Sequence, residues 1–199
     1  MTDEETLPGC LLITGTPGAG KTTVSRLVAE RLPRAAQVDG DVFGLMLMSG
    51  RANMLDEDGR WNPGPEGQRQ LRLRMVNLCS VADNFAEAGF TPVADSVVET
   101  REELEFIAGR LRTRPLMLVV LCPPLEVARR RNATRAVETQ VDYDFAPLAR
   151  NQERELGDVG WWLDNGDQTP EQTADLIVAQ AARRAVVPTG ASRPLPSPG

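Results

Sequence analysis

Histidine is absent from this 199-residue chain, and lysine occurs once, at position 21, among 22 basic residues. The first absence excludes imidazole both as a metal ligand and as a general base, so a proton acceptor has to be a carboxylate. The second singles out Lys21, because a chain that otherwise draws its positive charge from arginine keeps one flexible point charge there. Cysteine is scarce. Cys10, Cys79 and Cys122 are odd in number, widely spaced and set in apolar segments, which excludes a disulfide framework or a zinc site and reads as core. No apolar run approaches the roughly 18 to 20 residues that span a bilayer. The acidic start MTDEETLPG lacks the basic residues of a secretory signal, so the expected location is cytoplasmic. A net charge of −6 argues against broad nucleic-acid or anionic-membrane binding, since both partners need a basic face. Nothing in the pattern marks an oligomeric state.

What is present is ordinary globular composition, with 41% hydrophobic and 25% charged residues. Residues 1–187 read as a single domain, and 188–199, PTGASRPLPSPG, as a flexible tail with nothing to bury. Strand-length apolar runs at Cys10–Thr14, Ala36–Val38, Thr91–Asp95, Leu116–Leu121 and Trp161–Leu163 alternate with about six helical patterns. Val24, Leu27, Val28 and Leu32 form one helical stripe, and Leu71, Met75, Leu78, Cys79, Ala82 and Phe85 another. Thr100 with Glu103 makes a capping box, and Thr169–Pro170 opens a further helix. The expected fold is α/β: a three-layer sandwich whose five-stranded parallel sheet carries helices on both faces. Residues 49–65, SGRANMLDEDGRWNPGP, combine Gly, Pro and acids with Met54, Leu55 and Trp61, which suits a binding loop.

Gly15, Thr16, Pro17, Gly18, Ala19, Gly20, Lys21 and Thr22 match G-x-x-x-x-G-K-[ST] between an apolar strand and an amphipathic helix. Such a loop turns successive backbone N–H groups around a phosphate at a helix N-terminus. These residues and Thr23 are therefore the expected ATP contacts, with Lys21 on the β- and γ-phosphates and the Thr22 hydroxyl on Mg²⁺. The alternative is a glycine-rich turn without a ligand. An N-K-x-D segment for guanine is impossible when the single lysine is at 21. The strand ends Val93-Ala94-Asp95-Ser96 and Leu121-Cys122 lack the Asp-Glu pair of a water-activating ATPase. Asp39-Gly40-Asp41 follows the second strand instead and suits a hydroxyl acceptor. Strand alternation would put Asp39 and Asp41 on one side, with Asp41 on the acceptor hydroxyl and Asp39 in the Mg²⁺ shell through water. Alternatively, Asp41 merely caps the next helix. Asp95 borders the same crevice, within reach of substrate or metal. Glu126 lies at helical spacing from Arg129 and Arg130, a solvated face. Arg131 and Arg135 fall on the inward stripe. They are expected to clamp the γ-phosphate as a lid within 124–150 closes, or else to form structural ion pairs.

Over about residues 10–187 the phosphate loop, Asp39-Gly40-Asp41 and the arginine-bearing lid resemble the small P-loop kinases of shikimate- or gluconate-kinase-like layout. Within that group the chain is most similar to antibiotic phosphotransferases of the chloramphenicol phosphotransferase and tunicamycin-resistance type. That similarity rests on Asp41 before a short helix with Leu45-Met46, on the long following insertion and on Val93 to Asp95. The resemblance implies that Asp41 takes the proton of the acceptor hydroxyl, and that a small-molecule acceptor lies between the 49–65 loop and the next helix, with Trp61, Met54 and Arg74 as walls. The insertion departs from the group in its acidity, and Asp56, Glu57 and Asp58 would suit a cationic acceptor such as an aminoribosyl nucleoside antibiotic. A metabolic sugar or nucleoside kinase and a non-catalytic ATP-binding module remain as alternatives.

Overall fold

A computed structural model describes residues 6–188; the tail expected over 188–199 lies, from 189 onward, outside the described residues. The strands are β1 (Cys10–Gly15), β2 (Ala35–Asp39), β3 (Thr91–Asp95), β4 (Leu116–Leu121) and β5 (Trp161–Leu163), within a residue of the spans expected at each end. All pair in parallel in one sheet, ordered β2-β3-β1-β4-β5.

The apolar runs in β1 and β4 are continuous because both faces of a parallel sheet are covered. Every residue of both strands is buried. Period-two alternation divides them. Leu11, Ile13, Met117, Val119 and Leu121 pack under α1 (Lys21–Arg31) and α7 (Pro170–Arg184), joined by Val24, Val28, Ala174 and Ile177. Cys10, Leu12, Leu118 and Val120 face the opposite layer, with Leu78, Cys79 and Ala82 of α3 (Gly64–Glu87) and Leu104 and Ile107 of α4 (Arg101–Arg110). Each fully buried Leu or Ile contributes about 1.5–3 kcal/mol of transfer free energy. Cys10 and Cys79 are free thiols in this core, and burial pushes both up to about 12.

Among the described residues, seven α-helices and a 3₁₀ turn at Val137–Thr139 replace the roughly six helices expected. Helix α2 (Gly40–Leu45) starts directly after β2, and Asp39 is its N-cap: the Asp39 carboxylate accepts the Asp41 backbone N–H at 2.8 Å. Two expectations change here. Asp41 is not the cap, and strand alternation does not apply to it because the chain is already helical at Gly40. The close passage over β3 needs that glycine, since a Cβ at position 40 would lie 2.9 Å from the Asp95 carbonyl oxygen.

The 49–65 stretch forms a small hairpin. Leu55 and Trp61 bridge antiparallel, and the Asp56 carboxylate accepts the N–H groups of Asp58 and Arg60. Gln70 of α3 anchors it, donating to the Gly50 carbonyl and accepting the Ala52 N–H. The lid runs from α5 (Leu125–Ala133) to α6 (Ala146–Leu156). The Asn132 amide pins it with two bonds to the Val141 backbone, over a small cluster of Ala128, Phe145 and Leu148. Among the described residues no helix is long and apolar enough to cross a membrane.

Candidate active site

Two cavities open along the carboxyl ends of the strands and share Lys21, Asp41 and Arg135. The smaller, about 320 Å³, lies over the glycine loop between α5 and the start of α7, and Gly18, Thr22, Arg131, Asn165 and Pro170 are among its walls. The larger, about 710 Å³, lies between α3, the start of α4, the hairpin and the lid.

The glycine loop is built for an anion. Its backbone passes so close to α5 that a Cβ on Gly18, at φ +76°, would sit 2.1 Å from the Ala128 carbonyl oxygen. Lys21 opens α1, and its ammonium donates to the Thr16 carbonyl at 3.2 Å. Burial pulls that ammonium below its ordinary 10.5, while Asp41 and Asp95 act in the opposite sense. A half-buried cation bonded to one neutral carbonyl at a helix N-terminus fits a phosphate.

Beneath the loop, both oxygens of Asp95 are occupied. Thr22 Oγ1 donates to Oδ1 at 2.9 Å, and Ser25 Oγ and Gln37 Nε2 donate to Oδ2 at 2.6 and 3.3 Å. Asp95 is 2% exposed and lines neither cavity, so its assignment as an acceptor contact is corrected: it is a buried partner of the Thr22 hydroxyl. Asp39, paired with Thr22 as a metal contact in the sequence reading, uses Oδ1 on α2, and burial followed by the nearby Asp95 charge raises its carboxyl pKa. The described residues contain no cluster of three or more metal-ligating side chains. A hydroxyl backed by one carboxylate fits Mg²⁺, which keeps most of its water and takes few protein ligands.

The lid arginines separate. Arg131 donates to the carbonyls of Asn165 and Gly166, at 2.9 and 3.2 Å, and lines the smaller cavity alone. Arg135 lines both. Arg129 pairs with Asp144 at 2.9 Å instead of Glu126. Asn165 donates to the Ala19 carbonyl at 3.0 Å, and its own Oδ1 is buried without a donor.

In the larger cavity Asp41 forms an ion pair with Arg74 of α3 at 3.1 Å. Trp61 comes from the hairpin and packs against Tyr143 of the lid, with ring centroids 5.2 Å apart. Met54 is corrected. It does not line this cavity, and its sulfur lies against Gly67 at the start of α3. Asp56, Glu57 and Asp58 are absent from the walls too, because the hairpin turn and Arg60 consume Asp56 and Asp58 and Glu57 is exposed. Glu99 and Tyr143 went unrecognised in the sequence. Both stand in loop segments, where no motif flagged them. Asn165 and Gln168, in the loop after β5, line the smaller cavity and went unrecognised in the sequence as well.

A phosphate loop after β1, a buried aspartate from the neighbouring strand and a crevice at the strand ends define a P-loop nucleotide-binding protein of α/β fold. A family model described as AAA domain matches residues 11–156, and the chain belongs to that family. No curated protein matches the sequence. Solved structures that share the fold include the tunicamycin resistance protein of Deinococcus radiodurans, at 20% identity and a TM-score of 0.62, covering 92% of this chain and 99% of that one. A sugar kinase from Janibacter sp. HTCC2649 has 20% identity and a TM-score of 0.59, with 86% and 93% covered. The Mycobacterium tuberculosis APS kinase, in complex with AMPPNP and APS, has 17% identity and a TM-score of 0.59, with 87% and 96% covered.

Proposed function

We propose that the protein is an ATP-dependent O-phosphotransferase that moves the γ-phosphoryl group of ATP to a hydroxyl of a small molecule. The observation that carries this reading is the position of Asp41, whose carboxylate borders both the loop cavity and the larger one, together with Lys21 and Arg135. A group that touches both compartments can take a proton from an acceptor in one while phosphate is held in the other.

In this reading the loop N–H groups and Lys21 hold the phosphates of ATP, and Arg131 with the Asn165–Gly166 loop borders the base. The orphaned Asn165 Oδ1 suits a donor such as the exocyclic amine of adenine. Thr22, fixed by Asp95, would hold Mg²⁺, whose contribution when bound is to offset charge on the phosphate oxygens. Arg74 orients Asp41 through their ion pair. As the acceptor oxygen bonds to phosphorus and the bond to the departing diphosphate oxygen breaks, the hydroxyl proton passes to an Asp41 carboxylate oxygen. Arg135 supplies positive charge where the phosphoryl group crosses, and the lid excludes water.

The narrower reading is inactivation of an antibiotic for self-resistance in the cytoplasm, with an aminoribosyl nucleoside as one candidate acceptor. Mg-ATP with a panel of sugars, nucleosides and hydroxyl-bearing antibiotics, followed by mass spectrometry for one added phosphoryl group, tests it. Asp41→Asn is expected to lower transfer by about 10²- to 10⁴-fold. A product from a common sugar or nucleoside moves the protein to metabolism. ATP binding without transfer to any acceptor, with Asp41→Asn indistinguishable from wild type, overturns the enzyme reading in favour of a binding module.

A further inference from the structure

We infer that the acceptor carries a protonated amine, held by the Glu99 carboxylate against the aromatic pair Trp61 and Tyr143. This deepens the phosphotransfer reading and rests on it for naming the larger cavity as the acceptor's.

Among the described basic residues of the cavity wall, Arg74 is paired with Asp41, Arg69 with Glu66, and Arg72 lies over the Phe106 ring at 4.0 Å. Lys21 and Arg135 line this cavity too, at the end it shares with the glycine loop. On the acidic side, Glu103 is spent on the backbone N–H groups of Glu99 and Thr100. The Glu99 side chain has a different partner, the neutral Asn151 amide, which donates to Oε1 at 2.8 Å. Among the described residues no cation lies within ion-pair distance of Glu99. A cavity-wall carboxylate whose protein partner is neutral is a ready partner for a ligand cation.

What surrounds Glu99 points to the ligand. Glu99, Trp61 and Tyr143 line both the acceptor cavity and an adjoining one of about 350 Å³. Aromatic faces beside a carboxylate form a recurrent setting for an alkylammonium group, which gains both ion pairing and attraction to the rings. Burial, reinforced by the negative charge of Glu99, pushes the Tyr143 hydroxyl up to about 12, so the ring stays neutral at physiological pH. The acids of the hairpin, by contrast, are not among the walls of the cavity. Glu99 is therefore a specificity residue selecting hydroxyl acceptors that also bear an amine.

The test uses cyclohexylamine, protonated at pH 7.5, and cyclohexanol, its neutral counterpart, at constant ionic strength on the full chain. Binding is read from the Trp61 indole N–H resonance, assigned with Trp61→Phe. The ammonium is expected to bind about tenfold more tightly than the alcohol. Glu99→Gln should bring the two to parity, while Glu105→Gln, exposed on α4 and outside both cavity walls, keeps the preference. Melting temperatures identify a variant that fails to fold, in which event Trp61→Leu, read by calorimetry, must reduce the same preference. Equal affinities in wild type, binding of neither compound, or a preference that survives Glu99→Gln overturns the inference. Phosphorylation of neutral acceptors alone would leave the kinase reading standing and remove the amine site. Failure of all phosphoryl transfer, with the ammonium preference intact, would do the reverse.

Discussion

The two cavities share three side chains and differ in how they are made. The smaller cavity is dominated by one contiguous run, residues 18–24, the end of the glycine loop and the start of the helix it opens. The larger cavity is gathered from the hairpin, α2, α3, the loop before α4 and the segment between α5 and α6, so its walls come from distant parts of the chain. Backbone recognition constrains residue type strongly over a short stretch, so it leaves a motif. Side-chain recognition spreads a few residues over a long stretch, and specificity can change there without disturbing the loop.

If that division is real, changes on each side should separate in measurement. Beside Asp41→Asn, the largest effect belongs to Lys21→Met, expected to lower phosphoryl transfer by about 10³-fold, since it removes charge aimed at the reacting phosphate. Single-turnover kinetics should show the loss in the chemical step, and an unchanged rate would break the assignment of the loop.

Asp83→Ala comes next and tests the far end of α3, away from both cavities. Asp83 is buried and accepts from the Arg112 and Thr113 backbone N–H groups and the Thr113 hydroxyl. Burial alone would raise its carboxyl pKa, but those bonds outweigh it and hold it below the ordinary 3.8. Truncation should cost about 2 kcal/mol of stability by urea unfolding at pH 7 and leave kcat unchanged. A depressed native pKa stabilises above the unfolded value and loses that contribution as pH falls through the native one, so the gap between wild type and variant should narrow below about pH 4.

Arg131→Met should have the smallest effect, raising KM for ATP about tenfold by releasing two carbonyl bonds to the loop after β5. The acceptor KM should stay constant. A change in the acceptor KM instead would mean that the cavities are not separable at the lid.

Much of the molecule was legible in its sequence. The strands could be read because a parallel sheet buried on both faces demands unbroken apolar runs, and β4, from Leu116 to Leu121, is one. The Thr100–Glu103 capping box was visible for the same local reason and is present. Asp41 is an intermediate case: its place next to the phosphate loop was anticipated, but the supporting argument from strand alternation failed because α2 begins at Gly40. Trp61 was anticipated as a wall and lines the cavity, whereas its hairpin neighbour Met54 turns to α3.

The sequence by itself determined the sheet, the helical layers and the phosphate loop, because periodicity, capping and a glycine-rich turn are written in residues close together along the chain. Tertiary structure alone decided that Thr22 bonds to Asp95 across 73 positions, that Trp61 meets Tyr143, and that Glu99 stands on the wall of the larger cavity with no cation paired to it among the described residues. Those contacts arise from how separate elements pack, and neither residue of a distant pair carries a local signal of the other.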